Sequence, residues 1–181
     1  MNVEAAIGIV ENFDPGADGL ARKSRELTLQ LLGLTAEPFS RNQFTPGHVT
    51  CTALVLHPDG ERVLIMHHHR LRRWLLPGGH VEPEDVRLQD AAAREAEEET
   101  RVRIDAGYEA RLAGIDVHGI PAKRDEPFHL HHDLIWSFRA ADAGIARTDE
   151  ALDAVWASEG DWDRLGIADS IRNAIDRVTA R

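Results

Sequence analysis

The amino-acid sequence predicts an α+β protein in which a mixed sheet is covered by helices, and three observations carry that prediction. Helical periodicity occupies both ends of the chain, runs of β-branched and apolar residues fill the middle from His48, and one strongly helical run interrupts them. In the first forty residues Val3, Ile7 and Val10 share one helical face, and Leu20, Ser24, Leu27, Leu31 and Leu34 share another. Asp14-Pro15-Gly16 separates these two helices, and Gly33 with Pro38 ends the second. Residues 49–56 and 62–69 read as strands joined by Pro58-Asp59-Gly60-Glu61, a hairpin signal. A turn, Leu76-Pro77-Gly78-Gly79-His80, leads into the helical run Leu88–Thr100. Further strands are expected at 110–118, 128–140 and 154–157, and Asp169–Thr179 reads as a closing helix capped by Ser170 or Asp169. The expected organisation is an N-terminal helical extension at 1–40 and one domain at 45–181.

Composition narrows the function. Of 181 residues, 43% are hydrophobic and 29% charged, which supports a packed core. Against 21 Lys and Arg stand 31 Asp and Glu, a formal net charge of −10, so the basic footprint that a nucleic-acid polymer requires is missing. Small phosphorylated partners stay open, because carboxylates bind them through a divalent metal. The lone Cys51 permits no intramolecular disulfide and reads as a small buried hydrophobe. The start, MNVEAAIGIVENFD, lacks the basic region of a signal peptide, and no stretch approaches the roughly 18 apolar residues of a membrane span. The expectation is a cytoplasmic protein with no membrane partner.

The chemistry concentrates in GGHVEPEDVRLQDAAAREAEEETRV, residues 78–102. Glu95, Glu98 and Glu99 stand at i, i+3 and i+4, so the three carboxylates share one helix face. Like charges so placed repel unless something neutralises them; a solvated acidic face is the plain alternative. Two features point instead to a cation. Ala91, Ala92 and Ala96 give the helix a dry side suited to packing on a sheet, and the preceding Pro-Gly-Gly lets backbone carbonyls approach a ligand. Carboxylate and carbonyl oxygens are the ligands that Mg²⁺ takes.

These residues resemble the box of the Nudix hydrolase family, G-x5-E-x7-R-E-U-x-E-E-x-G-U with U aliphatic, matched at residues 79–102 by Gly79, Asp85, Arg94-Glu95, Glu98-Glu99 and Val102. The resemblance extends over residues 45–178 and implies a Nudix-like α/β/α sandwich with a mixed sheet, the N-terminal helices lying outside it. Three departures stand out. The spacing from Gly79 to Arg94 is one residue longer than the pattern, Asp85 replaces its first Glu, and Arg101 replaces the Gly that ends the helix. The resemblance implies Glu95, Glu98 and Glu99 as ligands of Mg²⁺ (or Mn²⁺), with a carbonyl of Gly78 or Gly79 added, and Arg94 as the residue that orients the carboxylates. It assigns Glu95 as the candidate base, gives Gly79 and Asp85 structural roles, with Glu84 or Glu82 as alternatives to Asp85 for bracing Arg94, and makes the reaction hydrolysis of a diphosphate linkage in a nucleoside diphosphate bonded to another group. A nucleotide-binding module without catalysis is the alternative, and the complete carboxylate set argues for the enzyme. Isopentenyl diphosphate isomerase, similar in fold, needs a Cys near the box; Trp74-Leu75-Leu76-Pro77 offers none. The subfamily markers for ADP-ribose or dinucleoside polyphosphates are absent from Asp116-Val117-His118, so the substrate is not specified.

Weaker signals remain. Strand alternation sets His129, His131 and Asp133 on one face and Leu130, His132, Leu134 and Trp136 on the other, so the first set either lines the pocket of Glu95, Glu98 and Glu99, as phosphate contacts or a further metal ligand, or is a solvated polar face; His131 and Asp133 are expected to face that pocket. His67-His68-His69 reads as solvated. Arg70, Arg72, Arg73 and Lys123-Arg124 are candidate phosphate binders or ordinary surface charge. Trp136 and Trp156 are expected in the core and Trp162 at a surface edge, whereas Trp74, close to Gly78, is a candidate substrate contact. The leucine stripe Leu20, Leu27, Leu31 and Leu34 must be buried, either on the chain's own domain or in a homodimer, and the added apolar surface of the first helix favours the homodimer.

Overall fold

A computed structural model describes residues 1–123 and 126–179. Two helices come first, α1 (Val3–Asn12) and α2 (Gly19–Leu34). Both start on a side-chain cap. Asn2 Oδ1 accepts the Glu4 amide at 2.9 Å, and Asp18 Oδ1 accepts those of Leu20 and Ala21 at 3.0 Å. Strands β1 (Gly47–Leu56), β2 (Val63–His68), β3 (Trp74–Leu75) and β4 (Gly78–His80) precede α3 (Leu88–Thr100). Then follow β5 (Arg111–Ile120), β6 (His129–Arg139), β7 (Ala151–Ala157), a 3₁₀ turn at Glu159–Asp161, α4 (Trp162–Leu165) and α5 (Asp169–Thr179).

The sheet runs β3-β2-β1-β6-β5, with β4 also pairing β1 and β7 also pairing β2. It is mixed because β1 and β6 run parallel over ten residue pairs while every other ladder is antiparallel. β1 is central and is buried along almost its whole length because both its faces are covered. Val49, Cys51, Ala53 and Val55 of β1 pack with Leu134, Trp136 and Phe138 of β6 under the small residues Ala91, Ala92 and Ala96 of α3 and under α1 and α2. The reverse face carries Leu54, Leu56, Ile65 and Ile135 against Trp162 and Leu165 of α4 and Ala174 and Ile175 of α5. Helices on both faces of one mixed sheet make the α+β sandwich that the sequence predicts.

Three expectations need correction. Trp162 is buried at 6% exposure, because α4 inserts it beneath the sheet instead of leaving it at an edge. The first backbone bonds of α5, from Ile171 and Arg172, go to the Ala168 carbonyl, which puts Ala168 where Asp169 or Ser170 was expected as cap. The leucine stripe of α2 also divides. Leu31 is buried with Ala21, Thr28 and Leu32, while Leu20, Leu27 and Leu34 are exposed along the rim of that face. The helix is thus rotated so that its small and polar residues meet the sheet: Ser24 Oγ accepts the Val117 amide, and the Thr28 hydroxyl lies 3.1 Å from His132 Nδ1. No helix among the described residues is long and apolar enough to cross a membrane.

Because Leu31 is 1% exposed inside the principal core, Leu31→Ala is expected to lower unfolding free energy by about 2–5 kcal/mol in chemical denaturation. A loss below 1 kcal/mol would mean that α2 does not belong to the folded core.

Candidate active site

The site is built where α3 meets β4. Gly79 sits in a closely filled position: a Cβ there would lie 2.6 Å from Glu95 Oε1. Its hydrogen lets the Glu95 carboxylate lie directly on the strand. The neighbouring Gly78 amide donates to Glu99 Oε2 at 2.9 Å. Both α3 carboxylates are therefore seated on the backbone of β4 by the Gly-Gly pair.

Arg94 spends its whole guanidinium on this assembly. Nε and Nη2 donate to the two oxygens of Asp85 at 3.1 and 3.0 Å, and Nη2 also donates to the His80 carbonyl at 2.9 Å. Nη1 donates to Glu95 Oε1 at 2.9 Å and to Glu98 Oε2 at 3.2 Å. Asp85 makes this brace, with neither Glu82 nor Glu84 taking its place, and the Glu82 amide donates to Asp85 Oδ2 at 2.8 Å. Burial works to raise the Asp85 pKa, but the bonds from Arg94 and the Glu82 amide outweigh it and hold the carboxyl below its usual range. The same contacts raise Arg94. The extra residue of the motif lies in the bend before α3, and its carboxylate face stays in register. Arg101 adopts left-handed geometry at φ 59°, at a cost of about 1 kcal/mol for a non-glycine residue.

Two of the three carboxylates remain under strain. Burial raises Glu95, with Arg94 offsetting part of it and Glu98 and Glu150 adding to it. Burial pushes Glu99 up to about 8, relieved in part by the Gly78 amide. Glu98 is largely exposed at 59% of its side chain. Glu150, which sequence reasoning missed, adds negative charge at both Glu95 and Glu99 from the loop before β7. That loop is fastened to the end of α3 by the Thr148 hydroxyl donating to the Glu99 carbonyl at 2.7 Å. Nothing in the spacing of Glu150 marks it, because the link is made only in three dimensions. Buried, mutually repelling carboxylates seated on Gly78 and Gly79 suit a hard divalent cation, and the residues present fit one.

The remaining candidates divide among other places. His129, His131 and Asp133 do share a face of β6, as alternation requires. That face also carries Thr50, Thr52 and His80, because His131 pairs with His48, Asp133 with Thr50, and His80 with Thr50 from the other side. Gly79, against which Glu95 packs, points to the opposite face. Asp133 accepts the hydroxyls of Thr50 and Thr52 at 3.0 and 2.8 Å; burial nevertheless raises its pKa. Arg72 is exposed in the turn after β2, and Trp74 on β3 packs on the His67 ring at 5.1 Å between centroids. Lys123 pairs through its backbone with Glu126, and Arg124 lies outside the described residues.

A family model described as NUDIX domain matches residues 46–177. No curated protein matches the chain. Among solved structures, the NUDIX domain of Shewanella oneidensis NrtR complexed with ADP ribose is similar at 17% identity and a TM-score of 0.55, over 84% of this chain and 96% of that one. The Escherichia coli dihydroneopterin triphosphate pyrophosphohydrolase is similar at 18% identity and a TM-score of 0.52, over 73% and 94%. A NUDIX hydrolase from Listeria monocytogenes gives 15% and 0.52, over 74% and 92%. At such identities these likenesses establish the fold.

Two outcomes follow from the geometry. Asp85→Ala leaves Arg94 without its main partner, and a loss of about 3 kcal/mol is expected in denaturant unfolding; an unchanged midpoint would show that the brace contributes nothing. In native protein Glu99 keeps its proton to about 8, against 4.5 unfolded, so over that interval the native state binds more protons and stability falls as pH rises. Glu99→Gln removes this slope. With divalent cations chelated, the melting temperature of the variant should pull ahead of wild type progressively from pH 4.5 to 8. A constant difference across that range would refute the shift.

Proposed function

The chain belongs to the NUDIX domain family, that of the Nudix hydrolases, and from that premise we propose that it is a Mg²⁺- or Mn²⁺-dependent pyrophosphohydrolase acting on a nucleoside diphosphate linked to another moiety. The observation that carries the reading is the seating of Glu95 and Glu99 on β4 while Arg94 holds Glu95 and Glu98. Glu95, Glu98 and Glu99, with a carbonyl of Gly78 or Gly79, would hold the ion. When bound, it supplies charge neutralisation at the diphosphate oxygens and a lowered pKa for a bound water.

The protein's own residues do the rest. Glu95 lies on Gly79 with its proton affinity raised, which suits it to take the proton as water attacks phosphorus. The bridging P–O bond then breaks, and its oxygen leaves with the second phosphate product. Arg94 keeps Glu95 and Glu98 aimed without touching substrate, since its five N–H donors are already taken by Asp85, Glu95, Glu98 and the His80 carbonyl. Arg72 in its exposed turn and Trp74 on β3 are the proposed contacts for phosphate and for the attached group.

The same reading puts the protein in the cytoplasm, in keeping with the single buried thiol of Cys51. It also makes the protein a homodimer, in keeping with Leu20, Leu27 and Leu34 exposed along α2; a monomeric mass in solution at micromolar concentration would end that part of it.

The function is tested by chromatographic detection of the phosphomonoester or pyrophosphate products formed with Mg²⁺ from nucleoside triphosphates, nucleotide sugars, ADP-ribose, dinucleotides and coenzyme A. At least one of these is expected to turn over. Glu98→Gln and Glu99→Gln should each lower that rate on the order of a hundredfold, with the fold retained. Wild-type rates in either variant would remove the carboxylates from the site.

A further inference from the structure

On the sheet face opposite the one where Glu95 packs, imidazoles from three strands converge. His48 of β1 and His131 of β6 are partners across the parallel ladder, and His80 of β4 pairs with Thr50, two residues along β1 from His48. Their ring centroids form a triangle with sides of 4.8, 5.1 and 5.4 Å. Their ligand atoms all lie within 4.8 Å of one another. We propose that His48, His80 and His131 form a second metal site, separate from the carboxylates of α3, for a divalent transition-metal ion of the zinc class.

Three observations support it. The donors are imidazole nitrogens, which favour zinc, cobalt, nickel or copper over the oxygen-seeking Mg²⁺. His48 is already oriented as a ligand. Its Nδ1 lies 3.1 Å from the Gln43 carbonyl oxygen, so Nδ1 donates there and Nε2 carries the free lone pair. Metal-bound histidines are commonly held by such a bond to a backbone carbonyl. His48 Nε2 is moreover buried with no hydrogen-bond partner among the described residues, and His48 itself is 1% exposed. A buried acceptor left unpaired asks for a partner, and a metal ion supplies one.

His129 extends the set. Its Nδ1 lies 2.9 Å from the Pro127 carbonyl oxygen, and its Nε2 lies 3.3 Å from His131 Nε2. Two imidazoles on one tetrahedral ion, with metal–nitrogen bonds of about 2.0–2.1 Å, place their nitrogens about 3.3 Å apart. A hydrogen bond thus holds these two nitrogens, without an ion, at the spacing that two ligands of one ion would take. The solvated polar face considered for these residues does not describe it, because rings packed at this spacing exclude water from one another and cannot all be protonated. Nor is Asp133 the neutralising partner, since its oxygens are engaged by Thr50 and Thr52.

The test uses the full-length protein stripped of metal and titrated with Co²⁺, then Zn²⁺. One equivalent of Co²⁺ should produce the visible absorption of a four-coordinate nitrogen site, Zn²⁺ should bleach it, and excess Mg²⁺ should not. His80→Gln and His131→Gln, both at half-buried positions, should keep the far-ultraviolet circular dichroism of wild type. Each should weaken Zn²⁺ binding by more than about a hundredfold, the upper range for losing an outer-shell partner alone. Zn²⁺ should raise the melting temperature of wild type and not of these variants. Glu98→Gln, which damages only the carboxylate site, should leave the Co²⁺ spectrum intact, so failure of this proposal and failure of the hydrolase reading are separable. No Co²⁺ band in wild type, a band that survives in both histidine variants, or a band lost in Glu98→Gln would each overturn the site.

Discussion

Everything at this site depends on how closely α3 approaches β4. Gly79 sets that distance, while Gly78 beside it lets β4 lie close on β1. A Cβ on Gly78 would meet Thr52 Oγ1 at 2.5 Å, and one on Gly79 would meet Glu95 Oε1 at 2.6 Å. Either substitution must push something away, and behind the strand stands the backbone of β1. The closeness lets a main-chain amide reach Glu99 and lets one guanidinium span a loop carboxylate, a strand carbonyl and two helix carboxylates. The alanine face of α3 serves the same end on the other side, since Ala91, Ala92 and Ala96 let the helix settle onto the core.

The charge balance around α3 is deliberately incomplete. Arg94 is one cation among four nearby carboxylates, Asp85, Glu95, Glu98 and Glu99, and its strongest geometry is bidentate with Asp85, which no cation need reach. Glu99 receives only an amide, and Glu150 adds to the negative field instead of relieving it. A protein optimised for stability alone would replace such buried like charges with apolar residues. Their presence on the Gly78-Gly79 strand is in keeping with the proposed divalent-cation site. Arg101 closes α3 in left-handed geometry, its amide donating to the Glu97 carbonyl.

How far the sequence could be read follows from how local each feature is. The carboxylate face was legible because it is set by helical periodicity within five residues, and Asp85 could be put forward as the brace because it is the first carboxylate of a spaced motif. The alternation of His129, His131 and Asp133 was legible for the same reason, as a property of one strand. The face shared by His48, His80 and His131 was not, because it depends on two ladder registers that join residues 48, 80 and 131. Glu150 was hidden likewise. The rotation of α2 was misjudged for an energetic reason. Hydrophobicity alone favours the four-leucine stripe, but it leaves out the hydrogen bonds that Ser24 and Thr28 make on the sheet, where they are buried with Ala21, Leu31 and Leu32.

The N-terminal helices are therefore more than a cover. Asp18 caps α2 and also accepts Arg177 at 2.7 Å and Asn173 at 2.9 Å, so one carboxylate ties the start of α2 to α5; the Ala21 amide, with these two bonds, holds its pKa down against its partial burial. From α2, Thr28 reaches His132 and Ser24 reaches the Val117 amide, one contact on each of the strands β6 and β5. His132 lies between His131 and Asp133 and points to the α2 face. Fixing its ring there commits its two neighbours to the other face, since successive strand side chains alternate. A slip of β6 by one residue would bury His131 under α2 and unpair Thr28 at once. The helices outside the matched family region thus hold in place the strand whose far face gathers the histidines.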